Sequence, residues 1–315
     1  MTTKPLIRFD WAMKRLLRQK SNFVILEGFL SELLKEDIII EQILESESNR
    51  AANRQESYED KFNRVDILAL NSKNELVIFE IQNNKQVDYF QRMLYGVSKV
   101  TTEYLGLGER YSRIKKVYSI NIVYFDLGQG KDYVYYGKTD FVGIHQGDLL
   151  ELSAKQKELF EKEAVYQLFP EFYVIKINNF NDLAKDTLDE WIYYLKNDEV
   201  LNNSKAKGLK EVAEYLKIQN LPEAEQNAYY KHIENKRIER SVIDTAVMDG
   251  IDIGRAEGRE EGRAEGIAEE RARAEEEKRQ LVLQTARNLK NLGLSNEQIA
   301  TATGLPLTTI ETLSN

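Results

Sequence analysis

The sequence contains no cysteine and only two histidines in 315 residues. The missing thiols exclude disulfides and thiolate-bound metals, and two imidazoles are too few for a histidine-rich zinc site. Any metal would therefore have to bind to carboxylate oxygens, which favour Mg²⁺, Mn²⁺ or Ca²⁺.

Long apolar runs are also missing. No segment is apolar for long enough to span a membrane, and residues 1–5 are not followed by the apolar core of a signal peptide. We therefore expect a cytoplasmic protein without a membrane partner. A formal net charge of −8 argues against tight non-specific binding to nucleic acid, although a local basic groove or a bound metal ion would offset it.

Apolar residues make up 42% of the chain, which is enough for one or two domains with a substantial core. The 17 tyrosines and 12 phenylalanines become rare after about Tyr230. The first two-thirds of the chain is therefore predicted to be globular, and the last third to have a different character.

Two kinds of hydrophobic spacing alternate along the globular part. Helical spacing is found in three early segments, residues 9–19, 23–34 and 87–105. Strand patterns are found in residues 38–44, 65–70, 75–82, 117–125, 133–136 and 141–144. This order predicts a mixed α/β core over residues 1–150, followed by a helical region over 151–245.

Glycine recurs at every fourth position from Gly250 to Gly266, with Arg, Glu and Ala between. We expect residues 246–280 to form a helical spacer, which could also be a dimerisation arm because two helices can approach closely along small residues. A flexible charged linker is the alternative, since each glycine costs a helix roughly 1 kcal/mol relative to alanine.

Residues 281–315 are predicted to form a short helical tail. Ser295 and Gln298 have the spacing of a capping box, and Pro306 is placed to begin a second short helix, as in a helix-turn-helix. Its expected core is Ile299, Ala300, Leu305, Ile310 and Leu313. The second helix lacks Lys and Arg, so contacts with DNA would depend on Thr308, Thr309 and Asn315, and binding to protein is the alternative.

Polar side chains interrupt the apolar strand over residues 75–82. Glu80 and Gln82 are two positions apart and so project from one face. Asp66 lies on the same face only if the hairpin places it directly opposite Glu80, so that the residue numbers of each facing pair sum to 146. That register requires an odd-length loop or a bulge. A sum of 145 would place Asp66 opposite Phe79, on the other face. A metal ion would satisfy carboxylates buried in this way, whereas an edge hairpin facing solvent would need none.

These residues resemble the motif of the PD-(D/E)XK nuclease superfamily, and more narrowly the Rpn-like recombination-promoting nucleases, which are also described as transposases. The motif consists of Asp66, thirteen intervening residues, and Glu80-Ile81-Gln82. The other matching pieces are Asp10 to Lys14 with Leu17, Phe29-Leu30, Glu45 to Ser48, Asp60-Lys61, Arg64-Val65, Arg92 and Tyr95. The likeness covers roughly residues 8–300.

The resemblance implies a restriction-endonuclease-like mixed sheet flanked by helices, followed by an all-helical C-terminal region. It also implies DNA endonuclease activity that depends on a divalent metal, Mg²⁺ before Mn²⁺ or Ca²⁺, and a link to recombination or mobile elements. Asp66 and Glu80 would be metal ligands. Gln82 would take the catalytic position that the superfamily usually fills with Lys, although Gln can only hydrogen-bond.

The resemblance further implies accessory positions near the site, which are Asp10, Lys14, Arg64, Arg92 and Tyr95. A helix cap for Asp10, a solvated lysine for Lys14 and a surface ion pair for Arg92 are the simpler interpretations.

Three functions therefore stay open for the whole chain. The first is the metal-dependent DNA endonuclease, with DNA as partner and a homo-oligomer formed through the C-terminal helical region. The second is a catalytically inactive DNA-binding or oligomeric scaffold that keeps the nuclease fold. The third is a helical regulatory protein whose tail carries the function.

Overall fold

The computed structural model describes residues 6–44 and 66–313, which form two compact units that meet in sequence between His232 and Ile233. The first unit is built on a six-stranded mixed sheet. Its strands are β1 (Ile40–Leu44), β2 (Ile67–Asn71), β3 (Leu76–Gln82), β4 (Val117–Val123), β5 (Val134–Gly137) and β6 (Glu171–Lys176). The predicted mixed α/β fold is confirmed.

The strands lie in the order β1-β2-β3-β4-β6-β5. The neighbours β3, β4 and β6 are parallel to one another, whereas β1, β2 and β5 are joined to the sheet by antiparallel pairing. The central strands β3 and β4 are buried almost throughout, because helices cover both faces of the sheet. Their apolar residues are therefore nearly continuous in sequence.

Among the described residues, six α-helices lie wholly within this unit. They are α1 (Phe9–Arg15), α2 (Phe23–Leu34), α3 (Tyr89–Glu103), α4 (Ala154–Phe160), α5 (Thr187–Asn197) and α6 (Leu209–Tyr215). Helix α3 covers one face of the sheet, where its Val97 packs with Ile78 of β3. The other face meets α2 through Phe29, whose ring centroid lies 6.3 Å from that of Phe79. Alternation along β3 therefore directs Glu80 and Gln82 to the α3 face, together with Ile78.

Two predicted elements differ from the structure. Residues 171–176 were expected to be helical but form β6 inside the sheet, so that prediction is wrong for this segment. The strand is short and pairs with a neighbour on each side. In so short an apolar segment, the spacing of apolar residues does not distinguish a helix from a strand. Residues 141–144 form no regular strand, since Val142 makes only an isolated bridge with Leu149.

The second unit is helical. It contains the part of α7 (Glu223–Asn291) that follows His232, together with α8 (Asn296–Thr303) and α9 (Leu307–Thr312). The glycine repeat lies inside α7, which confirms the helical interpretation over the flexible linker.

The tail of the second unit has the predicted local structure. The hydroxyl of Ser295 accepts a hydrogen bond from the backbone N–H of Gln298, whose side chain accepts one from the N–H of Ser295, as expected for a capping box. The predicted core is confirmed and also includes a residue of α7; its buried members are Ala286, Ile299, Ile310 and Leu313. Asn315 lies outside the described residues. Over residues 6–44 and 66–313, no helix has the length and apolar character needed to cross a membrane.

Candidate functional site

The hairpin of β2 and β3 has the register that the candidate site requires. The pairs run from Ile67 opposite Phe79 to Leu70 opposite Leu76, so the numbers of facing residues sum to 146. Residues 71–75 lie between the last paired positions, which is the odd-length connection that was predicted. Continued by one residue, this register places Asp66 opposite Glu80.

The connection is fixed by its own side chains. The amide oxygen of Asn71 accepts hydrogen bonds from the backbone N–H groups of Lys73, at 3.1 Å, and Glu75, at 2.8 Å. Asn74 has a φ of 60°, a left-handed conformation that asparagine tolerates better than most residues. The turn chemistry therefore sets the loop length, and the loop length sets which residues face each other.

Asp66 and Glu80 are brought together on this hairpin. The N–H of Ile81, next to Glu80, donates a hydrogen bond of 2.7 Å to Oδ2 of Asp66. Burial, followed by the negative charge of Asp66, raises the pKa of Glu80 from 4.5 to about 8, and this outweighs the opposing effects of Arg92 and Lys14. The Glu80 carboxyl group thus lies in a poorly solvated site beside a second carboxylate, where a nearby cation favours its ionised form.

Two of the predicted accessory residues supply nearby positive charge. Nζ of Lys14 lies 3.5 Å from Oδ1 of Asp66, and Nη2 of Arg92 lies 3.4 Å from Oε2 of Glu80. Arg92 also donates a hydrogen bond to the amide oxygen of Gln86. The two cations differ in solvation, because the Lys14 side chain is 56% exposed and that of Arg92 only 21%.

Gln82 shares the face of Glu80 by its position on β3, but its amide group is engaged locally. Its Nε2 donates a hydrogen bond of 3.2 Å to the backbone oxygen of Asn84. Gln82 is therefore a neutral side chain whose hydrogen-bond partner lies in its own chain segment.

The remaining accessory candidates are placed differently. Asp10 is buried on α1, where its Oδ1 accepts hydrogen bonds from the N–H of Trp11 and from Nε of Arg8. Its Oδ2 lies 3.8 Å from Nε2 of His232, a contact across 222 positions that no sequence pattern indicated. Tyr95 is 52% exposed on α3, one turn beyond Arg92. Arg64 lies outside the described residues.

Sequence reasoning missed several residues around the two carboxylates. Arg18 donates a hydrogen bond of 2.6 Å from Nη2 to the backbone oxygen of Asp66. Asn121 of β4 pairs in register with Glu80 and accepts a hydrogen bond of 3.3 Å from the hydroxyl of Tyr89. A polar residue inside the apolar strand 117–123 was the available signal for Asn121. Arg18 gave no comparable signal, since it is one of several basic residues in its segment.

The donor set fits a hard divalent cation. Within the part of the chain that the structure describes, no cluster of three or more His, Cys, Asp or Glu residues could hold a metal. Two carboxylates are nevertheless enough for Mg²⁺, which usually keeps several waters and binds through one or two carboxylates and a substrate phosphate. Burial and the charge of Asp66 raise the pKa of Glu80, and a cation bound by the pair would favour its ionised form.

Comparison with known proteins gave one finding. The family model described as PD-(D/E)XK nuclease family transposase matches residues 7–246, a span that includes the whole β2–β3 hairpin and both carboxylates. No curated protein and no solved structure matched the chain.

Proposed function

The chain belongs to the PD-(D/E)XK nuclease family transposases, and from this premise we propose that it is a metal-dependent DNA endonuclease with Asp66 and Glu80 as its metal ligands. PD-(D/E)XK proteins are nucleases, they typically use divalent metals, and their substrate is DNA. The observation that carries the proposal is the hairpin register, which, continued by one residue, places Asp66 opposite Glu80, in a setting that raises the pKa of Glu80 to about 8.

In this proposal Mg²⁺ is the preferred ion, with Mn²⁺ or Ca²⁺ as substitutes. When bound, the ion would supply Lewis-acid stabilisation of the phosphate and lower the pKa of a water molecule. The chain's own residues fix the ligands. The N–H of Ile81 orients the carboxylate of Asp66, while Arg92, itself hydrogen-bonded to Gln86, orients that of Glu80.

The proposed reaction is hydrolysis of a phosphodiester bond by water, without a covalent intermediate. Gln82 would act in it as a hydrogen-bonding residue that positions water or a phosphate oxygen. It cannot serve as a cation, because an amide carries no charge. The description of the family as transposases supports a role of the cleavage in recombination or in mobile elements.

The proposal is tested by incubating the purified full chain with supercoiled plasmid in Mg²⁺, Mn²⁺, Ca²⁺ or EDTA. We expect conversion to the nicked form with Mg²⁺ or Mn²⁺ and none in EDTA, because the ligands alone do not activate water. Absence of nicking with all three metals would favour the inactive scaffold. Nicking that persists in EDTA would contradict a metal-dependent mechanism.

We also propose that the chain forms a homo-oligomer through its C-terminal helical region. The support is the row of exposed apolar residues on α7, including Val247 at 55% and Ile251 at 49% exposure. Light scattering is expected to give the full chain a mass of at least twice 36.6 kDa. The double variant Val247→Asp and Ile251→Asp should have the mass of a single chain. A wild-type mass of a single chain would contradict the proposal.

A further inference from the structure

Two basic residues from one segment lie at Asp66. Lys14, in α1, places Nζ 3.5 Å from Oδ1, and Arg18, just after α1, donates a hydrogen bond to the backbone oxygen. Their segment, residues 8–20, has five Lys and Arg residues and one acidic residue, whereas the whole chain has a net charge of −8. The segment therefore carries an excess of positive charge, and two of its cations, Lys14 and Arg18, contact the proposed metal ligand.

We propose that Lys14 and Arg18 form the phosphate-binding wall of the site. Lys14 contacts the phosphate that is cleaved, and Arg18 contacts a neighbouring phosphate of the same DNA strand. The inference rests on the proposed function, which it extends from the metal ligands to the side of the site that receives the DNA backbone.

Lys14 is suited to the reacting phosphate because of its solvation and its weak existing contact. Attack by water increases the negative charge on the phosphate oxygens, and a nearby cation stabilises that charge. The Lys14 side chain is 56% exposed, and its 3.5 Å contact with Asp66 is longer than a normal hydrogen bond. Its ammonium group can therefore turn from the carboxylate to a phosphate without breaking a strong interaction.

The other candidates for this role are already engaged. Gln82 is neutral and donates its amide N–H to Asn84. Arg92 is only 21% exposed and is hydrogen-bonded to both Glu80 and Gln86, which makes it a positioning residue for the carboxylate. Arg15 directs its guanidinium toward both carboxylate oxygens of Glu225.

Arg18 is suited to a second phosphate because of the geometry of its side chain. A guanidinium has five N–H donors in a planar fork that matches phosphate oxygens. One donor is engaged with the backbone oxygen of Asp66, and this contact holds the exposed group next to the site. A side chain anchored at one point loses less conformational freedom when it binds a phosphate.

The binding experiment uses a short DNA duplex in EDTA, so that no cleavage occurs, and measures fluorescence anisotropy at several salt concentrations. Each phosphate contact contributes about 0.9 to the slope of log K against log salt. We therefore expect Lys14→Gln and Arg18→Gln each to reduce that slope by about 1. Lys155→Gln removes the same charge from the exposed surface of α4 and should leave the slope unchanged. An unchanged slope in both Lys14→Gln and Arg18→Gln would overturn the inference.

The cleavage experiment separates charge from structure at Lys14. We expect Lys14→Gln, which removes the charge but keeps a polar side chain, to slow plasmid nicking by roughly 10- to 100-fold, whereas Lys14→Arg should stay within about threefold of wild type. Affinity for Mn²⁺, measured by calorimetry, should be unchanged or higher in Lys14→Gln, because a cation beside Asp66 has been removed. Equal activity of the Gln and Arg variants would overturn the role of Lys14.

The two proposals fail in distinguishable ways. If the wild type binds DNA with a slope that depends on Lys14 and Arg18 but does not nick plasmid, the phosphate-binding wall stands and the nuclease proposal fails. If the wild type nicks plasmid and neither slope nor rate responds to these variants, the nuclease proposal stands and the wall is wrong. Circular dichroism confirms that each variant is folded, and Lys14→Met replaces Lys14→Gln if the latter is not.

Discussion

Asp66→Asn is expected to lower the rate of metal-dependent plasmid nicking by about three orders of magnitude. A divalent ion at a phosphoryl site is worth several kcal/mol to the transition state, and about 1.4 kcal/mol corresponds to a factor of ten. The substitution removes the charge of the ligand but keeps its volume. It also keeps an oxygen that can accept the hydrogen bond from the N–H of Ile81, so the hairpin should be preserved. The measurement is the initial rate of nicking in saturating Mg²⁺.

Asp88→Asn is the matched control. Asp88 is an exposed carboxylate just before α3, and its side chain does not cap that helix. The control should nick at the wild-type rate, and both variants should melt within a few degrees of wild type. Wild-type activity in Asp66→Asn would contradict the assignment of Asp66 as a metal ligand.

Glu80→Gln is expected to abolish nicking and, at the same time, to stabilise the metal-free protein at alkaline pH. The pKa of Glu80 is raised from 4.5 to about 8 in the folded chain, first by burial and then by Asp66. Between these pH values the unfolded chain releases the proton while the folded chain retains it. The contribution of Glu80 to stability is therefore fully present below about pH 4.5 and is lost as the pH rises through 8.

Glutamine does not titrate, so the advantage of Glu80→Gln over wild type should grow from pH 5 to pH 8. At about 1.4 kcal/mol per pKa unit, it should reach at most about 5 kcal/mol. Urea unfolding in EDTA across this range measures the difference. A difference that does not vary with pH would show that the pKa of Glu80 is not raised. Glu80→Gln combines lost activity with increased stability, and a residue needed only for the fold would not show that combination.

The same linkage predicts the effect of metal on the wild type. An ion bound by Asp66 and Glu80 requires the ionised form of Glu80, so binding should release a proton at neutral pH. The stabilisation by Mg²⁺ should accordingly be larger at pH 8 than at pH 6. In Glu80→Gln this pH dependence should disappear.

The carboxylate pair could be predicted from sequence because two local rules determine it. Side chains on a strand alternate between faces, so Glu80 and Gln82 had to lie together. Whether the loop between the paired residues of β2 and β3 has an odd or an even number of residues then decides whether Asp66 lies with them. In the structure Asn71 and Asn74 stabilise a loop of odd length. Both rules act within about fifteen residues of chain.

Other features were missed because they depend on distant segments. The contacts of Arg18 with Asp66 and of His232 with Asp10 join residues that are 48 and 222 positions apart. The hydrophobic periodicity of a segment does not predict which of its side chains will contact a segment that is distant in sequence. The strand β6 was missed for a related reason, because its pairing with β4 and β5 outweighed a short and ambiguous local pattern.

The proposed metal site is tested most directly by the anomalous diffraction of Mn²⁺ in crystals of the full chain. We expect a peak within about 2.0–2.6 Å of a carboxylate oxygen of both Asp66 and Glu80, the range for divalent cations bound by oxygen. The peak should be absent from crystals of Asp66→Asn. A strong Mn²⁺ peak elsewhere in an active protein, with none between these two residues, would contradict the proposed metal site.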